Sequence, residues 1–283
     1  MAVLMDGKLT AKKVKDRAKE EIALLKDRGI TPCLAVIIVG DDPASRVYVN
    51  NKKKACEEIG ITSEEYALSA DATQEEILEL INKLNSRNDV NGILCQLPLP
   101  KQIDENVIIN HISPKKDVDA FHRFNVGSIM LGDYAFLPCT PAGIIELLKN
   151  YSIKIEGKNC VIVGRSNIVG KPMAMLMMHS DATVTVCHSR TKDLPSIVKS
   201  ADIVVAAVGK PKFITADMVR EGAVVIDVGI NRDENGKLCG DVDFENVEPI
   251  ASYITPVPGG VGPMTIATLM SNTVMAAKIQ NNL

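Results

Sequence analysis

Short apolar runs that alternate with amphipathic segments constrain the fold of this chain most strongly. In the first part of the chain, the runs CLAVIIVG, EEYALS and GILCQL alternate with segments of helical periodicity. A second series contains CVIVG, TVTVC, DIVVAAVG and AVVIDVG. Strands that alternate with helices form mainly parallel sheets with helices on both faces. The sequence therefore predicts an α/β fold with two such blocks.

The two blocks are separated by a stretch rich in Gly, Pro and polar residues, residues 113–143. We place a first α/β domain at residues 1–139 and a second domain at residues 140–264. The strand and helix order of the second domain is that of a Rossmann-like, doubly wound nucleotide-binding sheet. The periodicity of the last helix, in residues 265–283, does not show which domain it packs against.

Composition and charge argue against several classes of partner. The 283 residues are 46% hydrophobic and carry a formal net charge of −3, so nothing favours binding to nucleic acid. The first residues pass directly into a charged helix without a signal peptide, and no long apolar run predicts a membrane span. We expect a cytoplasmic protein without nucleic-acid or membrane partners.

Cysteine and histidine spacing indicates neither a disulfide framework nor a metal site. The seven cysteines are scattered without a C-x-x-C pair, and several lie in apolar runs where a reduced thiol packs as a small hydrophobe. The four histidines show no spacing that converges on a metal. We therefore predict structural thiols and no metal.

The stretch YVNNKKKACEEIGI, residues 48–61, places three lysines in one amphipathic helix. At about 100° per residue, Lys52 shares the mostly apolar face with Tyr48, whereas Lys53 and Lys54 lie on the other side. A desolvated lysine loses its proton more readily and can accept a proton near neutral pH. Lys52 is therefore a candidate base with Tyr48 beside it, although most lysine runs are simply solvated surfaces.

A candidate dinucleotide site follows the first strand of the second block. The loop GRSNIVGKP, residues 164–172, joins this strand to a helix, where free N–H groups bind phosphate. The spacing differs from G-x-G-x-x-G, and a plain strand-to-helix turn remains an alternative.

The next strand favours NADP over NAD. It ends in CHSRT, which provides Ser189 and Arg190 where an NAD site usually has a carboxylate for the ribose hydroxyls. Hydroxyl and guanidinium groups, with Arg165 of the preceding loop, suit a ribose phosphate. Two solvated surface arginines are the alternative.

In the first block, Gln96 ends an apolar strand within QLPLP, where a doubly wound sheet exposes ligand groups. Asp117 and Asp119 in KDVDAFH face the same way if this segment is extended. A carboxylate there can accept two N–H bonds from an aminopyrimidine-type ring. A strand-end turn residue and surface acids are the competing interpretations.

Seven motifs in this order resemble the bifunctional methylenetetrahydrofolate dehydrogenase/methenyltetrahydrofolate cyclohydrolase family. They are YVNNKKKACEEIGI, GILCQLPLP, KDVDAFH, PCTPAG, VIVGRSNIVGKP, ATVTVCHSRT and PVPGGVGPMT, and they span essentially the whole chain. The resemblance implies a homodimer in which a folate-binding domain packs against an NADP-binding Rossmann domain. It also implies that the C-terminal helix, residues 265–283, returns to the first domain.

The resemblance also assigns site residues. It implies that Lys52 is the catalytic lysine, that Tyr48 stacks on or polarises the substrate, that Gln96 is bonded to Lys52, and that Asp119 binds the pterin ring. The wider set of substrate-binding residues is Tyr48, Lys52, Gln96, Leu97, Asp119, Pro258 and Gly259. The cofactor-binding residues are Gly164, Arg165, Ser166, Ser189 and Ile230.

The implied activity has two steps. Methylene-tetrahydrofolate is oxidised with NADP to methenyl-tetrahydrofolate, which is then hydrolysed to formyl-tetrahydrofolate for one-carbon metabolism and purine biosynthesis. The chain departs from the family at Ala120, where Gly is common, and at Arg123, where Pro is common. A monofunctional dehydrogenase, an NADP sensor without turnover, and a small-acid or shikimate-type dehydrogenase are the alternatives.

Overall fold

The computed structural model describes all 283 residues and contains ten α-helices and eleven strands. The helices are α1 (Gly7–Lys26), α2 (Pro43–Ile59), α3 (Gln74–Ser86), α4 (Glu105–Ile109), α5 (Arg123–Leu131), α6 (Cys139–Asn150), α7 (Gly170–His179), α8 (Leu194–Lys199), α9 (Phe244–Val247) and α10 (Val261–Gln280). The strands are β1 (Val3–Leu4), β2 (Cys33–Val39), β3 (Thr62–Leu68), β4 (Gly92–Cys95), β5 (Asn159–Val163), β6 (Thr183–Cys187), β7 (Ile203–Ala206), β8 (Val224–Asp227), β9 (Asn231–Arg232), β10 (Leu238–Cys239) and β11 (Tyr253–Ile254). None of the ten helices combines the length and the hydropathy that a membrane span requires.

The chain divides into two compact units. One comprises residues 12–139 and 266–283, which we name the N-terminal unit, and the other comprises residues 1–11 and 140–265, which we name the Rossmann unit. The sequence places residues 1–11 with the first block, but β1 instead pairs in parallel with β11 of the Rossmann unit. Backbone pairing over this separation leaves no signal in local periodicity.

The N-terminal unit is built on a parallel three-stranded sheet in the order β3-β2-β4. Every residue of the central strand β2 is buried, as expected of a strand that is covered on both faces. The buried face of α10 joins the same core through Leu269, Met270 and Val274. The predicted return of the C-terminal helix to the first domain is thereby confirmed.

The Rossmann unit contains a six-stranded parallel sheet in the order β1-β11-β8-β7-β5-β6. Taken from β6, the strands follow the 2-1-3-4-5 order of a doubly wound sheet, with β1 added at the far edge. The order reverses between β5 and β7, and ligands bind outside the carboxyl ends of strands at such a point. The predicted doubly wound fold is confirmed.

Helix boundaries follow local capping where a cap is present. Thr73 and Glu76, three residues apart before an apolar-periodic run, predict a capping box. It is formed at the start of α3, since the Glu76 N–H donates to Thr73 Oγ1 at 3.2 Å and the Thr73 N–H donates to Glu76 Oε2 at 2.7 Å. The motif PCTPAG predicts Thr140 as the N-cap of the next helix, but α6 already begins at Cys139. The Thr140 hydroxyl instead shares a hydrogen bond with the Thr265 hydroxyl at 2.9 Å.

Candidate active site

Helix α2 places Lys52 on its buried face. The helix begins after Asp42, whose carboxylate accepts the N–H of Ser45 at 2.7 Å, and it ends at Gly60 with φ of 90°. Lys52 is only 8% exposed, whereas Lys53 and Lys54 are exposed. The lysine run is therefore split between the two sides of the helix as its spacing predicts.

Gln96 is the hydrogen-bond partner of Lys52. The ammonium Nζ of Lys52 donates to Gln96 Oε1 at 2.9 Å. Gln96 follows β4, and its Nε2 donates to the carbonyl of Leu97 at 2.8 Å. This second bond fixes the amide with its oxygen towards the lysine, so the position of the amine is set by a neighbouring strand end. The half-buried Tyr48 lies one turn before Lys52, and burial raises the pKa of its phenol.

The two carboxylates of KDVDAFH occupy different environments, contrary to the expectation for an extended segment. The chain turns here, since the Ala120 N–H donates to the Asp117 carbonyl at 3.1 Å. Asp117 is 2% exposed, and its Oδ2 accepts the His122 N–H and the Asn125 side-chain amide, both at 2.8 Å. Burial raises the pKa of Asp117 to about 6. Asp119 is partly exposed and remains available to a ligand.

Cys139 connects this turn with the lysine. Its thiol is fully buried, which raises its pKa strongly; the nearby Asp119 carboxylate raises it further, and the Lys52 charge opposes this. The thiol therefore lies within electrostatic reach of both predicted site residues. The sequence predicts Cys139 only as one of several structural thiols.

Asn272 of α10 is a residue that sequence analysis missed. Its buried side-chain amide donates to the carbonyls of Val118 and Leu137 at 2.8 and 2.9 Å. The C-terminal helix therefore holds the backbone just before Asp119 and just before Cys139. A side-chain amide within the mostly apolar α10 is the sequence signal for this contact.

In the Rossmann unit, the predicted cofactor loop follows β5. Gly164 has φ of 129°, and a Cβ there would overlap the carbonyl oxygen of Ala207. The hydroxyl of Ser166 accepts the N–H groups of Val169 and Gly170 at 3.2 and 3.3 Å, where α7 begins. Arg165, between Gly164 and Ser166, is exposed, so its guanidinium is free to meet a ligand.

The other predicted cofactor residues follow neighbouring strands of the same sheet. Ser189 and Arg190 are exposed after β6, and Ile230 is 51% exposed after β8. The carboxyl ends of parallel strands meet at one edge of a sheet, so these residues share an edge with the loop after β5. Exposed guanidinium and hydroxyl groups at the end of β6 fit a phosphorylated ribose.

Pro258 and Gly259 lie in a turn between β11 and α10. Pro258 is exposed, and Gly259 has φ of 110°, a conformation that favours glycine. The carbonyl of Gly259 accepts the N–H of Gly7 at 2.9 Å, and the N–H of Gly260 donates to the Pro256 carbonyl at 2.8 Å. The turn is therefore held by backbone bonds within the Rossmann unit.

Two family models match consecutive parts of the chain. The catalytic domain of tetrahydrofolate dehydrogenase/cyclohydrolase matches residues 5–119, and the NAD(P)-binding domain of the same family matches residues 138–281. The chain belongs to the tetrahydrofolate dehydrogenase/cyclohydrolase family. The family that the seven motifs predict is thus confirmed, together with its enzymatic nature and its nicotinamide dinucleotide cofactor.

Family relatives are similar over the full length of the chain. The bifunctional protein FolD of Agathobacter rectalis is 64% identical over 98% of this chain and 100% of its own length. The crystal structure of the FolD methylenetetrahydrofolate dehydrogenase/cyclohydrolase from Campylobacter jejuni superimposes with a TM-score of 0.97 at 54% identity, with 100% of both chains covered. A Trypanosoma brucei FolD structure in complex with NADP and an inhibitor gives a TM-score of 0.95 at 39% identity, over 100% of this chain and 99% of that one.

Proposed function

We propose that the chain catalyses two successive reactions on tetrahydrofolate one-carbon derivatives. The first oxidises methylene-tetrahydrofolate to methenyl-tetrahydrofolate with NADP, and the second hydrolyses the methenyl group to formyl-tetrahydrofolate. The observation that carries this proposal is the buried amine of Lys52, which is bonded to Gln96 Oε1 at 2.9 Å. An NADP sensor without turnover would not need this costly arrangement, because burying an amine requires desolvation.

The chemistry of the second step requires a base. Loss of a hydride leaves the folate carbon cationic, and water attacks this carbon to form a new C–O bond. The water gives up two protons: one goes to the leaving ring nitrogen as the C–N bond breaks, and Lys52 Nζ is the proposed acceptor of the other. Gln96 orients the amine during this transfer. A monofunctional dehydrogenase would not need the base.

The N-terminal unit is proposed to bind the folate. The partly exposed carboxylate of Asp119 would accept N–H bonds from the aminopyrimidine part of the pterin, and Tyr48 would stack on the substrate or polarise it. Asn272 supports the turn that carries Asp119 through its bond to the Val118 carbonyl. The remaining proposed substrate contacts are Leu97, Pro258 and Gly259.

Bound NADP supplies the acceptor for the hydride. Gly164 permits the tight turn after β5, while Arg165, Ser166, Ser189 and Ile230 are proposed to hold the cofactor. The guanidinium of Arg165 is assigned to the phosphate on the adenosine ribose. The proposed NADP-binding domain is residues 140–264, and the proposed folate-binding domain is residues 1–139 with the helix at 265–283, except that residues 1–11 belong to the Rossmann unit.

We further propose that the chain acts as a cytoplasmic homodimer whose formyl product supports purine biosynthesis, with no nucleic-acid or membrane partner. The dimer and the pathway rest on the family resemblance. All seven cysteines are free thiols, which suits a reducing compartment. Analytical ultracentrifugation tests the dimer, for which the expected mass is twice 30.6 kDa.

An absorbance assay tests the two reactions. Purified protein is mixed with methylene-tetrahydrofolate and either NADP or NAD, and formation and decay of the methenyl chromophore are followed. Hydrolysis is then measured separately on supplied methenyl-tetrahydrofolate. We expect Lys52→Met to slow this hydrolysis at least 100-fold, which is the usual contribution of a general base.

Lys53→Met is the matched control, because Lys53 is exposed on the same helix. It should hydrolyse the methenyl substrate at the wild-type rate. Both variants should bind NADP normally, since Lys52 and Lys53 belong to the N-terminal unit. Unchanged hydrolysis in a folded Lys52→Met variant would refute the lysine assignment.

A further inference from the structure

Asp241 has a fully buried carboxylate that none of the roles above uses. It is 0% exposed and follows strand β10. Its carboxylate accepts three consecutive backbone N–H groups, those of Val208, Gly209 and Lys210, at 2.6, 3.0 and 2.9 Å. It also accepts the side-chain amide of Asn231 at 2.8 Å. One carboxylate therefore joins the loop after β7 to the residues after β8.

A second buried carboxylate holds Asp241 itself in place. Asp227, the last residue of β8, accepts the N–H groups of Asp241 and Val242 at 2.8 and 2.9 Å. It also accepts the N–H of Gly229 at 3.0 Å, two residues along its own loop. Burial raises the pKa of Asp227 to about 7, although these N–H bonds oppose the rise. The two acids form a continuous connection from β8 to the loop after β7.

Two glycines allow the backbone to approach these carboxylates closely. A Cβ at Gly229 would overlap the carboxylate of Asp241, and a Cβ at Gly240 would overlap that of Asp227. Both side chains are enclosed by backbone and shielded from solvent. Asp227 and Asp241 therefore cannot be direct ligands of a bound molecule.

The segments that Asp241 joins lie at the ligand-binding edge of the sheet. Strands β7 and β8 are neighbours, and the loops held by Asp241 leave their carboxyl ends. The second loop carries Ile230, which is 51% exposed and is a proposed cofactor residue. Loops that contact a ligand bind it more tightly when they are held in the bound conformation beforehand.

We propose that Asp241 is a positioning residue of the dinucleotide site, which fixes the loops after β7 and β8 for the cofactor. This inference rests on the proposed NADP-dependent function. Asp241 acts through the backbone of residues 208–210 and through Asn231, and it does not touch the cofactor.

The variant Asp241→Asn tests this role. An asparagine of the same shape offers one acceptor oxygen and points its NH₂ group at N–H donors, so at least one of the two pairs of bonds is lost. In isothermal titration calorimetry with NADP alone, we expect the Kd to rise at least tenfold. Amide hydrogen exchange in residues 207–212 should accelerate in the absence of any cofactor.

The hydrolysis of supplied methenyl-tetrahydrofolate provides the internal control, because that step consumes no cofactor. For Asp241→Asn, the hydrolysis rate and the KM for folate should stay within twofold of wild type, while the KM for NADP rises with the Kd. A purely structural role would lower both activities together with the folded fraction. Asp243→Asn is the matched control, since Asp243 lies two residues away and its carboxylate accepts only the nearby side-chain amide of Asn246, at 2.6 Å.

Asn231→Ala covers the case in which Asp241→Asn does not fold. It removes one of the four bonds and leaves the backbone donors in place, so the Kd for NADP should rise at least threefold. Wild-type affinity in folded Asp241→Asn, or in Asn231→Ala if the first variant does not fold, would overturn the positioning role alone. Absence of NADP binding by the wild-type chain would refute the proposed function instead.

Discussion

The guanidinium of Arg165 stands exposed in the loop after β5, and its proposed partner is the ribose phosphate that distinguishes NADP from NAD. Hydrogen bonds between charged groups contribute about 1.5–3 kcal/mol, and tenfold in affinity corresponds to about 1.4 kcal/mol. We therefore expect Arg165→Glu to weaken NADP at least tenfold and NAD less than threefold in calorimetric titrations. Lys199→Glu, an exposed charge reversal on α8, is the control for net charge. Equal losses for both cofactors would contradict the phosphate assignment.

Gly164 differs from the other glycines with positive φ because a Cβ there would overlap backbone atoms. Both Gly164 and Gly222 have positive φ, but only at Gly164 would a Cβ collide, with the Ala207 carbonyl. We expect Gly222→Ala to cost about 1 kcal/mol of unfolding free energy through backbone strain alone. Gly164→Ala should lower the unfolding free energy clearly more, because the backbone of Ala207, which follows β7, must also move. Urea unfolding of both variants measures the difference, and equal costs would show that the contact with Ala207 relaxes freely.

Individual residues were predictable from sequence where helical periodicity fixes the direction of a side chain. Lys52 is buried and Lys53 is exposed, as their spacing in the helix requires. Ala120, at a position where the family commonly has glycine, has a positive φ of 57°, a conformation that favours glycine. Asp241 was not predictable, because its four donors come from segments that only the sheet order brings together. A buried carboxylate of this kind has no local pattern that separates it from a surface acid.

At the level of elements, local sequence signals predicted which helices exist better than they predicted the residues at which helices begin. The capping box of α3 was predictable because Thr73 and Glu76 are three residues apart, whereas α6 begins one residue earlier than its candidate cap. The partner of β1 was not predictable, since no local pattern connects Val3 with Tyr253. Short strands at a sheet edge are defined by tertiary pairing, which periodicity does not describe.

The α3 cap gives a prediction at this scale. Thr73→Ala removes the acceptor of the Glu76 N–H and leaves that helix end without its side-chain partner. We expect a loss of about 1 kcal/mol in unfolding free energy, measured by urea denaturation. Thr73→Ser keeps the hydroxyl and should recover most of the loss. If both variants lose the same amount, the methyl group of Thr73 matters and the cap does not.

For the whole molecule, buried acids set the pH dependence of stability. Burial raises the pKa of Asp117 from 3.8 to about 6 and that of Asp227 to about 7. Hydrogen bonds and nearby cations lower the pKa of more exposed acids, namely Asp42, Glu64, Asp89, Asp202 and Asp217. The buried acids lose their contribution to stability as the pH rises, whereas the more exposed acids lose theirs as the pH falls. Substitution of single acids is therefore needed to separate the two contributions.

The sign for Asp117 follows from proton linkage. Its proton is held more tightly in the folded chain than in the unfolded chain, so its contribution is fully present below about pH 4 and is lost as the pH rises through about 6. A rise of this size corresponds to roughly 3 kcal/mol of unfolding free energy. The Asn side chain of Asp117→Asn does not titrate and keeps an acceptor oxygen for His122 and Asn125. Urea unfolding between pH 4 and pH 7.5 should therefore show wild type losing stability relative to this variant. The exposed Asp71→Asn should follow the wild-type curve, and parallel curves for wild type and Asp117→Asn would mean that Asp117 is already ionised in the folded protein at low pH.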